Sequence, residues 1–329
     1  MSLTRSREFI YRGFVLAIGI IDIEYALGTE VCMTEDYSRN QKLDSEIHDN
    51  LIRNASKTYY SARNEDVFAL GKKSINAIIS RNNIDPKSIA YVIYCHTSQA
   101  NILPPPFSVV SHLQNCCQLH HASSFSISQQ NCVSPIHAIK IVENLLQNKP
   151  NDKKAMIVTM DKILLEDLRR IGDSGIQSDG ASVILLGKAE TLNNQILGCY
   201  TYNDKNMIVG ITEGRDYEEN PNYLWHCTSV MRKSLKAAQI QPQELQTVCP
   251  QNTHRPSWEV LLSSMKIPMD RLHIQGLDQI GHALGSDVAI NLKNSKSLFR
   301  KGHHLVFSSG IGGCFGAFVL AVNEVVKKG

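Results

Sequence analysis

Apolar residues come in short, unbroken runs separated by amphipathic stretches, and the runs are too short for membrane spans and too continuous for half-exposed strands. Phe14 to Ile21, YVIYC from Tyr91, Ala155 to Val158, GASVILLG from Gly180, Leu305 to Phe307 and GAFVLAV from Gly316 each read as a strand buried on both faces. Helical spacing of apolar positions follows Cys132, through Ala138, Ile139 and Val142, and follows His282, through Val288, Ala289 and Leu292. Strands alternating with helices at these lengths predict parallel sheets with right-handed crossovers and helices on both faces.

The pattern also repeats. Ile84-Asp85-Pro86 with Ile89 and Val92 has the spacing of Ile240-Gln241-Pro242 with Leu245 and Val248. Proline disfavours continuing a helix and a β-branched run suits a buried strand, so each copy ends a helix and opens a strand. Cys132 and His282 occupy matching places before their apolar helices, and the strand that starts at Ala155 matches that at Leu305, as Gly180 matches Gly316. The order is the same in both halves, which predicts two fused copies, residues 1–190 and 191–329. The triple proline Pro104 to Pro106 reads as a rigid loop and not a boundary.

Composition narrows the class. With 329 residues, 43% of them hydrophobic, and a formal charge of +3, the chain is an ordinary globular protein without the basic excess of a nucleic-acid binder. A local basic patch for an acidic partner such as a carrier protein remains compatible with that balance. Nine cysteines without a C-x-x-C pair point to free thiols in a reducing cytoplasm. The apolar run at Phe14 lies behind Arg5, Arg7 and Arg12 but passes into Asp22 and Glu24 with no small-residue cleavage site, so it reads as a first strand and not a signal peptide. No other run approaches the roughly 20 residues of a bilayer span, and no membrane association is expected.

Chemistry concentrates on Cys132. It follows the polar run QQN and precedes Pro135, a residue favoured in the first helical turn. A thiol at a helix start feels the partial positive charge there, which favours the attacking thiolate. The other eight cysteines have no such setting and read as small buried residues.

Four segments together resemble the ketoacyl synthase III branch of the thiolase superfamily: EDVFALGKKSINAIISRNNIDPKSIAYVIYCHTS (Glu65 to Ser98), SFSISQQNCVSP around Cys132, SDGASVILLG (Ser178 to Gly187) and GIGGCFGAFVL (Gly310 to Leu320). The resemblance implies an α/β, thiolase-like fold whose two pseudo-repeat halves give five layers, αβαβα. It also implies Cys132 as the acylated nucleophile and a dimer, homomeric or with a related subunit. No tightly bound cofactor is implied; the donor would be an acyl-CoA or the phosphopantetheinyl arm of an acyl carrier protein.

Two motifs depart from that family. Its H-Q-A-N reads here Pro250-Gln251-Asn252-Thr253-His254-Arg255, with an amide where histidine belongs, and its later asparagine is replaced by His282 in IGHALGSD. The second motif is similar to the G-H-x-x-G of thiolases, whose histidine points at the cysteine. An imidazole there can take a proton from an incoming nucleophile and return it. Asp287 would either orient that imidazole or simply cap the helix start. A Cys-His-Asp set resembles synthase-III-like acyltransferases of secondary metabolism that move an acyl group onto a hydroxyl or amine without decarboxylation.

Asn252 and His254 are candidates for donors near the thioester carbonyl. Arg255 falls where the family often has a basic residue at the pantetheine tunnel mouth, a place a solvated arginine also fits. The Cys132 backbone N–H and one from the Gly310 to Gly313 turn, with Gly312 chosen, would form an oxyanion hole. Decarboxylative condensation, and a non-catalytic partner subunit, are the competing functions.

Overall fold

Successive side chains of a strand point to opposite faces, and in the central strands of the two main sheets both faces are buried. The computed structural model describes residues 17–98, 106–172, 175–204, 221–310 and 312–323. The polar N-terminal lead to the first strand, with Arg5, Arg7 and Arg12, the start of the apolar run at Phe14, and Pro104 and Pro105 lie outside them. The strands are β1 (Ile18–Leu27), β2 (Glu30–Met33), β3 (Thr58–Ser61), β4 (Ile89–Cys95), β5 (Ser123–Ile127), β6 (Lys154–Asp161), β7 (Arg170–Ile171), β8 (Gly175–Ile176), β9 (Gly180–Lys188), β10 (Asn194–Asn203), β11 (Leu245–Cys249), β12 (Gly302–Gly310) and β13 (Cys314–Val322). The helices are α1 (Thr34–Asn40), α2 (Ser45–Asn54), α3 (Val67–Arg81), α4 (Val109–Cys116), α5 (Ser134–Gln147), α6 (Tyr223–Ala238), α7 (Arg255–Met265), α8 (Gln275–Gln279) and α9 (Asp287–Asn294).

One sheet has the order β1-β9-β6-β4-β5 and the other β10-β13-β12-β11; β2–β3 and β7–β8 form small ribbons. Alternation divides each strand between cores. Ala155 and Ile157 of β6 join a core shared by both sheets, with Ile136, Ile139 and Val142 of α5, Val288 and Leu292 of α9, and Val306 and Phe318 of the second sheet. Met156, Val158 and Met160 face the opposite way, onto Leu70, Ile75 and Ile78 of α3 and Leu113 of α4. Leu305, Phe307 and Val319 likewise face away from the shared core, onto Val230, Met231 and Leu235 of α6 and Leu261 of α7. Burial on both faces is why these strands read as continuous apolar runs.

The expectation of parallel sheets holds only in part. Strands β4, β5 and β6 are parallel, as are β11 and β12, but β9 runs antiparallel to β6 and β1, and β13 antiparallel to β12 and β10. For β13 the reason lies in the connection. Only a turn separates β12 from β13, and a turn reverses direction, whereas a parallel neighbour needs a crossover of a dozen or more residues. The expected helix-to-strand joints are present: a proline-led 3-10 turn precedes β4 at Pro86–Ser88 and β11 at Pro242–Glu244.

Candidate active site

Cys132 is presented by a strained turn. Between β5 and α5 the backbone adopts left-handed angles at Gln129 (φ 64°) and Asn131 (φ 47°), then turns through a 3-10 segment, Asn131–Val133, into α5 with Pro135 in its first turn. Asn tolerates this region better than most residues because its short polar side chain bonds locally. The second sheet closes on the turn. Ser308 of β12 donates to the Cys132 carbonyl at 2.8 Å, and a Cβ on Gly310 would lie 2.7 Å from the Asn131 Cβ and 3.4 Å from the Cys132 nitrogen. Only glycine allows that approach. Gly312, the chosen oxyanion-hole residue, lies on the same side: its φ is +92°, and the nearest atom to a Cβ placed there is the Asn131 amide nitrogen.

His282 meets Cys132 from the matching position of the other half. Its backbone N–H donates to Ile176 and its carbonyl accepts from Ser178, both at 2.9 Å, so the chain from Ile176 to Ser178 fixes the histidine loop. Cys132 Sγ lies 3.3 Å from His282 Nε2, and His282 Nδ1 lies 2.6 Å from Asp287 Oδ2. Asp287 is fully buried at the first position of α9 and is surrounded by donors. Oδ2 also accepts from the Asn252 N–H at 2.8 Å, while Oδ1 accepts from the Ala283 N–H at 2.8 Å and from Asn252 Nδ2 at 3.2 Å. Four donors suit an ionised carboxylate, which is acceptor-only.

That carboxylate sets the charge on the imidazole. Burial is the largest influence and opposes the charged form, but the Asp287 charge, then Cys132, and the hydrogen bonds to both outweigh it and raise the His282 pKa to about 10. A raised histidine pKa contributes stability that is complete below its ordinary value of 6.5 and is lost as pH rises toward about 10. We therefore expect thermal unfolding midpoints to fall between those limits in the wild type, with a smaller fall in His282→Gln.

The other sequence candidates divide. Asn252 does not face the thiol: its backbone N–H and its Nδ2 both donate to Asp287, and its Oδ1 accepts from Asn291 at 2.8 Å, so it supports the carboxylate from behind. His254 precedes α7 with its Nδ1 2.7 Å from Ser257 Oγ, and Arg255 pairs with Asp278 at 2.8 Å. Among the described residues no hydrogen bond or ion pair joins either one to Cys132 or His282.

Three groups in the site carry no assignment from sequence. Gln251, at the position of the family's histidine, places Nε2 3.4 Å from His282 Nε2. Thr97, just past β4, places its hydroxyl 3.6 Å from Cys132 Sγ. The Thr97 and Ser98 N–H groups both donate to Asp161, at 2.8 and 2.7 Å. Burial raises the Asp161 pKa to about 7, against those N–H groups and the His282 charge. The alignment of Gln251 with a functional position is the signal that could have found it; Thr97 has none.

No family model and no curated protein matches this sequence. Solved structures do. The chain is similar to ChlB3, described as an acyltransferase, with TM-score 0.80 at 16% identity over 94% of this chain and 98% of that one. It is similar to 3-oxoacyl-[acyl-carrier-protein] synthase III of Aquifex aeolicus, with TM-score 0.76 at 18% identity over 92% and 99%. The priming β-ketosynthase of the R1128 polyketide pathway superposes with TM-score 0.73 at 13% identity over 94% and 97%. The chain therefore has a thiolase-like fold. Within that class it has the ketoacyl synthase III-like form.

Proposed function

We propose that the protein is an acyltransferase that takes an acyl group from a coenzyme A or carrier-protein thioester onto Cys132 and passes it to a hydroxyl or amine acceptor, in secondary metabolism. The observation that carries this reading is the line Cys132, His282, Asp287, with contacts of 3.3 and 2.6 Å, beside an amide where the synthases' histidine would stand.

In the proposed reaction the thiolate of Cys132 attacks the donor carbonyl, and His282 gives its Nε2 proton to the departing thiol. Having given up that proton, the imidazole is left neutral. It then accepts a proton from the acceptor as that group attacks the acyl-cysteine. Collapse of the tetrahedral intermediate restores thiolate and imidazolium. Asp287 holds Nδ1–H throughout and so fixes the tautomer. The backbone N–H of Cys132, with one from the Gly312 turn, is proposed to receive the oxyanion.

We further propose that residues 1–190 and 191–329 are the two halves of a five-layered αβαβα arrangement. Support comes from α5 and α9 sharing one core with both sheets while α3 and α6 pack on the outer faces. Among the described residues β5 is an outer strand of its sheet, and an unpaired edge is a template for a second strand. A dimer through this edge is proposed, with an identical or related subunit. Sedimentation at micromolar concentration is expected to give twice the 36.7 kDa chain mass for a homodimer; an active monomer contradicts this. No described helix is long and apolar enough to cross a membrane, and the cysteines are free thiols, in keeping with a reducing cytoplasm.

Intact mass after incubation with acyl-CoA and acyl-carrier thioesters tests the reaction. A mass gain equal to the acyl group, discharged by an acceptor without carbon dioxide release, is expected. Carbon dioxide released in step with product from a malonyl-type co-substrate would instead make the protein a condensing enzyme.

A further inference from the structure

The proposed transfer leaves open whether the acceptor is an alcohol or an amine, and Gln251 bears on that choice. Its side chain is buried, and its amide orientation is fixed by an obligate donor. Oε1 accepts from the Ser309 backbone N–H at 2.5 Å and from the Ser309 hydroxyl at 2.7 Å. A backbone N–H can only donate, so the oxygen must face Ser309 and the NH2 must face the other way. The Ser309 hydroxyl is itself 2.9 Å from Tyr223 Oη, and the Gln251 carbonyl accepts from the Trp258 indole at 3.1 Å. Both ends of the residue are held. The NH2 points at His282, with Nε2 to Nε2 at 3.4 Å, and the same histidine nitrogen lies 3.3 Å from Cys132 Sγ.

An acceptor atom that gives its proton to His282 Nε2 beside acyl-Cys132 therefore meets a second group, and that group offers only a donor. A hydroxyl oxygen satisfies all three demands. It donates its proton to His282, accepts from Gln251 through one lone pair, and attacks with the other. A neutral amine nitrogen has a single lone pair. If that pair accepts from Gln251 it cannot attack, and if it attacks, the Gln251 N–H is left without an acceptor in a buried site. A site built to hydrogen-bond one group discriminates strongly against the analogue that leaves its polar atoms unmatched.

We propose that Gln251 is a specificity-determining residue that makes the acceptor a hydroxyl compound and disfavours amines. The proposal rests on the reading of Cys132 and His282 above. It adds a contact to the acceptor that neither of those residues supplies.

The test separates the two levels. The full chain is first loaded with acetyl, hexanoyl or benzoyl N-acetylcysteamine thioester, and the acyl-enzyme is confirmed at Cys132 by mass. Discharge is then followed with trifluoroethanol and with trifluoroethylamine, whose fluorines keep the amine neutral at neutral pH, after subtraction of hydrolysis. The wild type is expected to discharge to the alcohol at least about tenfold faster, although amines are intrinsically the better nucleophiles toward thioesters. Gln251→Glu keeps an oxygen for Ser309 and turns an acceptor toward the pocket. It should shift the alcohol-to-amine ratio at least about tenfold toward the amine, and Gln251→Met, which removes the donor, should shift it in the same direction.

Equal or faster discharge to the amine by the loaded wild type overturns the proposal while leaving the Cys132 reaction intact. So does a ratio unchanged in both variants. Failure of Cys132 to load with any donor overturns the proposal together with the reading beneath it.

Discussion

Replacing His282 with alanine is expected to split the reaction in two: Cys132 still loads, slowly, while transfer to the acceptor falls by about 10²–10⁴-fold, the usual contribution of a positioned acid or base. The split follows from the chemistry of each half. A thioester donor has a good leaving group, and any thiolate that forms can attack it with solvent supplying the proton. An alcohol or amine must lose a proton as it attacks, and with Nε2 gone no other imidazole contacts Cys132 among the described residues. Rapid-quench mass measurement gives loading, and product formation from pre-loaded protein gives transfer. Transfer at the wild-type rate would remove His282 from the mechanism.

Asp287→Asn should impair both the fold and the transfer, because Asp287 is more than a helix-start residue in this geometry. Its two oxygens face four donors, two of them backbone N–H groups that cannot reverse role, those of Asn252 and Ala283. An asparagine turned either way sets its NH2 against one of them. Each buried mismatch costs about 1–3 kcal/mol, and the imidazolium loses its counter-charge in a fully buried site. The His282 pKa should fall back from about 10 toward 6.5, and transfer should slow by about 10²-fold or more, as when a triad histidine loses its fixed tautomer. Denaturant midpoints, transfer rates and the NMR titration of the His282 ring follow the three effects. A variant with wild-type transfer and an unmoved titration would leave Asp287 a purely structural residue.

The centre of the site is legible in the sequence because the repeat constrains it. The apolar helices that follow Cys132 and His282 match the two residues by spacing alone, and in the fold they meet at 3.3 Å. Asp287 is legible by its position five residues on, though spacing does not decide between its two readings. The periphery is harder. Asn252 reads as facing the thioester, yet it turns behind Asp287, because a loop's side-chain directions depend on α9 and not on its own spacing. Gln251 stands out in the sequence only as a departure from a motif, since its donor role is set by Ser309, which reaches it from a different strand. Thr97 is an ordinary threonine until Asp161 fixes the loop that carries it. Strand direction is not legible for β9 and β13: burial on both faces gives antiparallel and parallel strands the same apolar pattern, and the turn that reverses β13 after β12 leaves that pattern unchanged.

The most direct test of the account is to map the acyl group by peptide mass spectrometry after loading with a thioester and quenching in acid. One acyl mass is expected on the peptide that contains Cys132, absent from Cys132→Ala and lost from the wild type when an acceptor is added. A label that persists in Cys132→Ala, or that maps to another of the nine cysteines, would contradict it.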